Sequence, residues 1–109
     1  MSMTTRRVLV GRRSESSASL RLVEIDGHRI VLVDLGDELL ALDDTCTHED
    51  ASLVEVGEVD PEAREIECCK HGARYSLDDG SIVAMPAVDD LHTYRVTVEG
   101  DDVYVEVPA

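Results

Sequence analysis

Two short segments of the sequence each offer one cysteine and one histidine. The first is Cys46-Thr47-His48, and the second, nineteen residues later, is Cys68-Cys69-Lys70-His71. A cysteine thiolate is a soft, negatively charged ligand that suits zinc or iron bound to sulfide, and a neutral imidazole suits the same metals. Two thiolates and two imidazoles therefore predict a metal centre that both segments build together.

The mixture of ligand types indicates what the centre would do if it held two irons and two sulfides. Two ferric ions, two sulfides and two thiolates sum to zero charge, whereas a cluster bound by four thiolates carries two negative charges before it accepts an electron. Adding an electron to the neutral cluster costs less free energy. Histidine ligands therefore predict a one-electron carrier with a higher reduction potential than a cluster bound by cysteine alone.

Two other interpretations fit the same residues. Structural zinc sites also use two cysteines and two histidines, although zinc fingers usually keep like ligands together and here each segment is mixed. The residues could also be unrelated buried cysteines and exposed histidines. His28 and His92 each stand alone among strand and turn residues, so we assign neither a role in the site.

Short apolar and β-branched runs, separated by turn residues, fill most of the chain. The predicted strands are Arg7–Val10, Leu20–Glu24, Arg29–Val33, Leu39–Leu42, Glu65–Cys68, Tyr94–Val98 and Val103–Val107. Asp26-Gly27, Gly36-Asp37, Asp79-Gly80 and Gly100-Asp101 have the residue types of tight turns between antiparallel strands. No window repeats apolar residues at helical spacing, so the predicted fold class is all-β, built from hairpins.

Two irregular segments interrupt the predicted strands and hold all the candidate ligands. They run from Asp43 to Glu49 and from Cys68 to Ser76. Reactive residue types gathered on irregular segments of a β protein indicate loops that a rigid scaffold positions. We therefore expect the hairpins to bring the two segments to one site.

The composition narrows the partners and the location. The 109 residues suffice for one domain, and 24 acidic against 10 basic residues give a net charge of -14, which repels nucleic acid and anionic membranes. No apolar run is long enough for a bilayer span or an export signal. We expect a cytoplasmic protein with no nucleic-acid or membrane partner. Asp43, Asp44, Glu49 and Asp50 either steer the first segment toward a basic docking face or only favour solubility.

The patterns Cys-x-His and Cys-x-x-His-Gly resemble the motif of Rieske iron-sulfur proteins. Similarity to bacterial Rieske ferredoxins runs from about Gly27 to the C-terminus, and Gly80 with Pro86 matches the third loop that shields the cluster in that family. The resemblance implies a Rieske fold of antiparallel sheets in a single domain, 1–109. Two loops within residues 43–76 would form the cluster-binding region, and the remainder would form the basal β region.

The resemblance also implies the ligands of one 2Fe-2S cluster. Cys46 and Cys68 would bind one iron, and His48 and His71 would bind the other. Cys69 stands two residues before His71 rather than the three that the motif requires, so the spacing of the family selects Cys68.

Residues beside the ligands would adjust the site. In family members with a higher potential, the residue two after the second ligand histidine is often Ser, and the residue four after it is Tyr, which donates to a ligand cysteine. This chain has Ala73 and Tyr75 at those positions. Tyr75 would then either donate its hydroxyl to Cys46 or serve only as an aromatic packing residue. Gly72 and Pro86 are expected to lie beside the cluster.

Rieske ferredoxins of this size take one electron from a flavin-dependent reductase and deliver it to a terminal oxygenase. The resemblance therefore implies an electron-transfer component rather than an enzyme. Two alternatives stay open, namely an accessory protein in iron-sulfur cluster assembly and a reductase small subunit with a Rieske-like fold. The second is weaker, because members that resemble nitrite reductase small subunits commonly lack the ligands present here.

Overall fold

The computed structural model of the protein describes residues 4–15, 19–36, 38–45, 52–68, 72–84 and 90–108. These ranges contain eleven strands, a 3-10 helix at Arg13–Glu15 and one short α-helix, α1, at Leu53–Val56. The strands are β1 (Thr5–Arg12), β2 (Leu20–Ile25), β3 (His28–Asp34), β4 (Leu39–Asp43), β5 (Gly57–Asp60), β6 (Glu65–Cys68), β7 (Ala73–Ser76), β8 (Ile82–Ala84), β9 (Thr93–Tyr94), β10 (Val96–Glu99) and β11 (Asp102–Pro108). None of the helices in this part of the chain has the length and apolar character needed to cross a membrane. The predicted all-β fold class is confirmed.

The strands form three antiparallel sheets. The basal sheet has the order β1-β11-β10, the middle sheet β2-β3-β4-β9 and the site sheet β5-β6-β7-β8. Most neighbours in a sheet are also neighbours in sequence, as hairpins require. The exceptions are β1, which pairs along β11, and β9, which joins the edge of β4. Hairpins therefore dominate the topology, as the turn residues predict.

Strand β3 is buried on both faces and places the middle sheet between two cores. The basal core consists of Val23, Ile25, Ile30, Leu32, Leu39, Ala41, Tyr94, Val103, Val105 and Val107. The site core consists of Val31, Val33, Leu42, Leu53, Ile66, Cys68, Ala73, Tyr75, Leu77 and Leu91. Side chains alternate along a strand, so Ile30 and Leu32 enter the basal core while Val31 and Val33 enter the site core. The apolar run in β3 thus serves both sides of the sheet.

The turn between β2 and β3 has the predicted chemistry. Ile25 pairs with His28, and the two residues between them, Asp26 and Gly27, have φ angles of 50° and 82°. A type I′ hairpin turn requires two positive φ angles, which Asp-Gly sequences tolerate best. The same dipeptide signal correctly located this hairpin in the sequence.

The structure departs from the predicted pattern at two of the expected segments. Ala73–Ser76 was placed in an irregular segment, but it is strand β7, with Ala73 and Tyr75 buried in the site core. The predicted strand Tyr94–Val98 is divided at Arg95, because Tyr94 pairs within the middle sheet and the following residues pair within the basal sheet. Strands β5 and β8 and helix α1 were not expected.

The site sheet extends past the predicted cluster-binding region. That region was placed at residues 43–76, whereas the sheet runs from Gly57 to Ala84. Its last strand, β8, pairs with β7 across an irregularity between Arg74 and Tyr75. The assignment of the whole chain to a single domain stays a prediction.

Candidate metal centre

The first ligand-bearing segment is closed at its base by backbone contacts. Strand β4 ends at Asp43, and an isolated antiparallel bridge pairs Thr45 with Ser52. The backbone N–H of Leu53 donates to the carbonyl of Asp44 at 2.6 Å. The residues that precede and follow the segment 46–51 are therefore held side by side. Cys46 and His48 themselves lie outside the described residues.

Asp44 adds its buried side chain to this closure. The residue is 0% exposed, and its Oδ1 accepts the N–H of Val54 at 2.9 Å. Helix α1 receives no side-chain hydrogen bond from Ser52, its N-cap residue, so Asp44 serves one of the open N–H groups of the first turn. The predicted steering role is wrong for Asp44, because a buried carboxylate cannot present its charge to a partner. Glu49 and Asp50 lie outside the described residues.

The second ligand-bearing segment is the tip of the β6–β7 hairpin. Cys68 pairs with Ala73, and the N–H of Gly72 donates to the carbonyl of Cys68 at 2.9 Å. Gly72 has a φ of 79°, and a methyl group added to it would meet no atom within 4 Å. The left-handed backbone conformation, rather than lack of space, is therefore what favours glycine here. His71 and Cys69 lie outside the described residues.

The two segments approach each other through helix α1 and strand β5. Helix α1 leads directly into β5, because the N–H of Gly57, the first residue of β5, donates to the carbonyl of Leu53 at the start of the helix. Gly57 is in turn the strand partner of Cys68. From Ser52, which follows the first segment, the chain thus runs through one helical turn to Gly57, the strand partner of Cys68.

Cys68 and Tyr75 both point into the site core and are 0% exposed. Tyr75 lies opposite Ile66 in the β6–β7 pair. The predicted hydrogen bond from Tyr75 to Cys46 falls on a residue outside the described part of the chain, so it stays a prediction. Burial keeps Cys68 away from bulk water, and its role as a metal ligand stays a prediction.

Gly80 lies before a third segment, residues 85–89, which contains the predicted site residue Pro86. The N–H of Gly80 donates to the carbonyl of Ser76, and its carbonyl accepts the N–H of Leu91, both at 2.8 Å. Gly80 has a φ of 76°, and an added methyl group would occupy the position of the Leu91 carbonyl. Asp90 accepts the N–H of Ile82 at 2.9 Å and holds the two ends of the segment 85–89 together. Pro86 lies within that segment, outside the described residues.

The described residues fit a cluster carried by two closed segments. Of the four predicted ligands, only Cys68 is described, and no group of three or more potential metal ligands occurs within the described ranges. What the structure does provide is a buried cysteine at the start of one segment and a fastened base for the other. The donor types in the sequence and the closure of both segments agree with a mixed cysteine and histidine site.

A polar cluster lies beside the base of the first segment. Tyr94 donates its hydroxyl to Oδ1 of Asp43 at 2.7 Å, and the N–H of His92 donates to Oδ2 of the same carboxylate at 3.2 Å. Burial, and then the hydrogen bond to Asp43, raise the pKa of Tyr94 above its usual range. The rings of His92 and His28 meet that of Tyr94 edge to face, with centroids 4.8 and 6.2 Å away. Both histidines thus have packing contacts within the fold.

Sequence reasoning missed two residues that hold the site in place. Arg64 binds Asp78 with Nε at 2.8 Å and Glu38 with Nη1 at 2.5 Å, so it connects the site sheet to the β3–β4 turn. Hydrogen bonds to Asp78 and then to Glu38 raise the pKa of Arg64. Asp44 is the second. Its position just after a predicted strand was a usable signal, since aspartate often accepts backbone N–H groups at such ends.

The fold and the site together define a class of protein. It is an all-β protein in which a middle sheet and a site sheet enclose a buried core that contains Cys68, and in which a backbone bridge joins the residues on either side of segment 46–51. The chain belongs to the Rieske family, since residues 7–95 match the family model described as Rieske [2Fe-2S] domain. Membership implies one Rieske 2Fe-2S cluster as the cofactor.

Known relatives narrow the class to ferredoxins. The chain is 38% identical over 90 residues to the ferredoxin component of the p-cumate 2,3-dioxygenase system of Pseudomonas putida, which covers 83% of this chain and 75% of that protein. It is similar in structure to the ferredoxin of carbazole 1,9a-dioxygenase from Nocardioides aromaticivorans IC177, with a TM-score of 0.84, 29% identity and coverage of 94% and 98%. A chain in the complex of reduced oxygenase and oxidized ferredoxin in carbazole 1,9a-dioxygenase gives a TM-score of 0.79, with 32% identity and 91% of both chains covered.

Proposed function

We propose that the protein is a one-electron carrier that receives electrons from a flavin-dependent reductase and passes them to a terminal oxygenase. Cys46, His48, Cys68 and His71 would hold its cluster. The observation that carries the proposal is the buried Cys68, which precedes the second segment and pairs with Gly57, the residue after the helical turn that follows the first segment. When bound, the cluster supplies reversible uptake of a single electron.

The chain's own residues provide a dry and firmly held site. Cys68 shares the buried site core with Leu53, Ala73 and Tyr75, all of which are 0% exposed. Backbone hydrogen bonds hold the ends of the first segment, the second segment and the third segment. A site held in this way changes little in shape when its charge changes, which favours rapid electron exchange.

The choice of partners rests on the relatives. One is named as the ferredoxin component of a dioxygenase system, and another was solved in a complex with its oxygenase. Both names place a ferredoxin beside an oxygenase as a separate component, and we assign this protein the role of electron carrier to such an oxygenase. A flavin-dependent reductase as the donor and the cytoplasm as the location complete the proposal.

Anaerobic purification followed by metal analysis tests the cofactor. The expected protein is reddish-brown, contains about two irons and two acid-labile sulfides per chain, and gives a Rieske-type paramagnetic signal when reduced. A colourless preparation with one zinc per chain would refute the proposed cluster.

Stopped-flow mixing tests the role. An NADH-dependent flavin reductase should reduce the protein by one electron, and an oxidised terminal oxygenase of a ring-hydroxylating system should reoxidise it without loss of iron. The assembly role predicts a different result, in which iron and sulfide move to an apo-protein and the visible absorbance of the donor disappears.

A further inference from the structure

Asp44 is the one buried charged side chain within the described ranges, at 0% exposure. Among the described residues its Oδ2 has no hydrogen-bond donor, and the half-exposed guanidinium of Arg29 lies near it, with Nη2 3.6 Å away. A carboxylate that loses water without full compensation costs free energy. This cost suggests that the carboxylate makes a contact that a smaller or apolar side chain could not make.

The contacts of Asp44 all concern the base of the first segment. Its N–H donates to the carbonyl of Arg29 at 2.9 Å, which fixes one end of the segment to β3. Its carbonyl accepts from Leu53 at 2.6 Å, and its carboxylate accepts from Val54 at 2.9 Å, which fixes the other end. One residue therefore joins both ends of the segment to the middle sheet.

The side chain of Asp44 is the part of this closure that mutation can remove. Ser52 gives α1 no side-chain hydrogen bond, so without the carboxylate the N–H of Val54 would lose its acceptor. Leu53, the first residue of α1, is fully buried in the site core together with Cys68. A shift of α1 would therefore be felt directly beside the ligand cysteine.

We infer that Asp44 is a positioning residue of the metal centre, whose carboxylate holds Val54 and Leu53 against the end of β4 and so sets the position of the first segment relative to Cys68. The inference rests on the proposed function, because it takes the first segment as a source of ligands. Asp44 acts through these neighbours and is not itself a ligand in this assignment.

Three variants of the full-length protein separate the hydrogen bond from the charge and from general stability. Asp44→Ala removes the acceptor, whereas Asp44→Asn keeps an oxygen for Val54 and removes only the charge. Asp34→Ala is the control, because Asp34 also accepts a backbone N–H with Oδ1, from Gly36 at 2.8 Å. Asp34 pairs with Leu39 at the other end of β4, far along the strand from the first segment.

Two measurements report on the position of the segment. Amide hydrogen exchange of the peptide that contains Leu53 and Val54 reports on the closure, and the rate at which a chelator removes iron reports on the site. Loss of an N-terminal helix acceptor should raise both rates about tenfold in Asp44→Ala. Asp44→Asn and Asp34→Ala should stay within about twofold of the parent, and the paramagnetic signal of the reduced protein should broaden only in Asp44→Ala.

Several results would overturn the inference. Equal effects in Asp44→Ala and Asp34→Ala would mean that only general stability changed, and equal effects in Asp44→Ala and Asp44→Asn would mean that the charge matters rather than the acceptor. If Asp44→Ala does not fold, a tenfold faster exchange of Val54 in Asp44→Asn would also refute it. A parent protein that takes up no iron and sulfide would instead refute the proposed function, and the exchange measurement, which needs no metal, would still decide whether Asp44 holds the segment.

Discussion

Replacing Gly80 with alanine is expected to destabilise the protein by about 3 kcal/mol. The φ of 76° at this position costs an alanine about 1 to 2 kcal/mol. The added methyl group would also collide with the Leu91 carbonyl, so the segment before β9 must move, at about 1 kcal/mol. The hydrogen bond from Leu91 to Gly80 is then lost, at about 1 kcal/mol more. Alanine recovers about 0.5 kcal/mol by restricting the unfolded chain.

Gly27→Ala is the matched control. Gly27 has a φ of 82°, but an added methyl group would meet no atom within 4 Å. Only the backbone conformation is then unfavourable, and the expected loss is about 1 kcal/mol. The difference between the two variants isolates the collision with Leu91, because both substitutions are the same and both φ angles are similar.

Calorimetric scans of the two variants and the parent, all loaded with the cluster and heated at one rate, measure the difference. About 4 °C of midpoint is expected for each kcal/mol in a domain of this size, so Gly80→Ala should melt about 12 °C and Gly27→Ala about 4 °C below the parent. Equal shifts in the two variants would refute the argument, since they would show that Leu91 can move away from Gly80 at no cost.

Three further predictions concern the ligands, the potential and the response to acid. The four predicted ligands are Cys46, His48, Cys68 and His71. Alanine at any of them should abolish or severely deplete the iron content, while Cys69→Ser should retain it, and the reverse result for Cys68→Ser and Cys69→Ser would exchange their roles. If the hydroxyl of Tyr75 donates to a cluster ligand, Tyr75→Phe should lower the reduction potential by on the order of 40 mV, and an unchanged potential in a redox titration would show that the ring only packs. A hydrogen bond from Arg13 lowers the pKa of Asp34, so the carboxylate stabilises the fold above its unfolded pKa of about 3.9 and this contribution is lost as the pH falls through the lower folded value. Asp34→Asn should therefore lower the free energy of unfolding at pH 6 and have little effect near pH 2, and a loss of equal size at both values would exclude an ionic contribution.

The ligand spacing and the hairpins were within reach of the sequence because both depend on short stretches of chain. Asp26-Gly27 located the β2–β3 turn, and the apolar run of β3 located a buried strand. Strand β7 was not predicted because it directly follows the second cysteine and histidine pair. The whole stretch from Cys68 to Ser76 was therefore assigned to one irregular segment. The sequence of β7 nevertheless alternates apolar Ala73 and Tyr75 with polar Arg74, and the structure buries the first two and half-buries the third.

The parts that could not be predicted depend on contacts between distant residues. Helix α1 has only four residues, which is too short for a helical repeat of apolar positions. Asp44 has the same residue type as the exposed acids of the chain, and its burial accompanies contacts with Leu53 and Val54 that no local pattern indicates. Arg64 joins Glu38 and Asp78 from separate turns, and no local pattern distinguishes it from other exposed basic residues.

The burial of β3 on both faces has a consequence for how the protein unfolds. Ile30 and Leu32 belong to one core while Val31 and Val33 belong to the other, and all four are on a single rigid strand. Opening either core would expose apolar side chains of β3 to water on that face, so the shared strand couples the stability of the two cores. Unfolding of the basal core and release of the metal should therefore coincide in one cooperative transition. The colour of the protein would then report on the folding of the basal core as well as on the site.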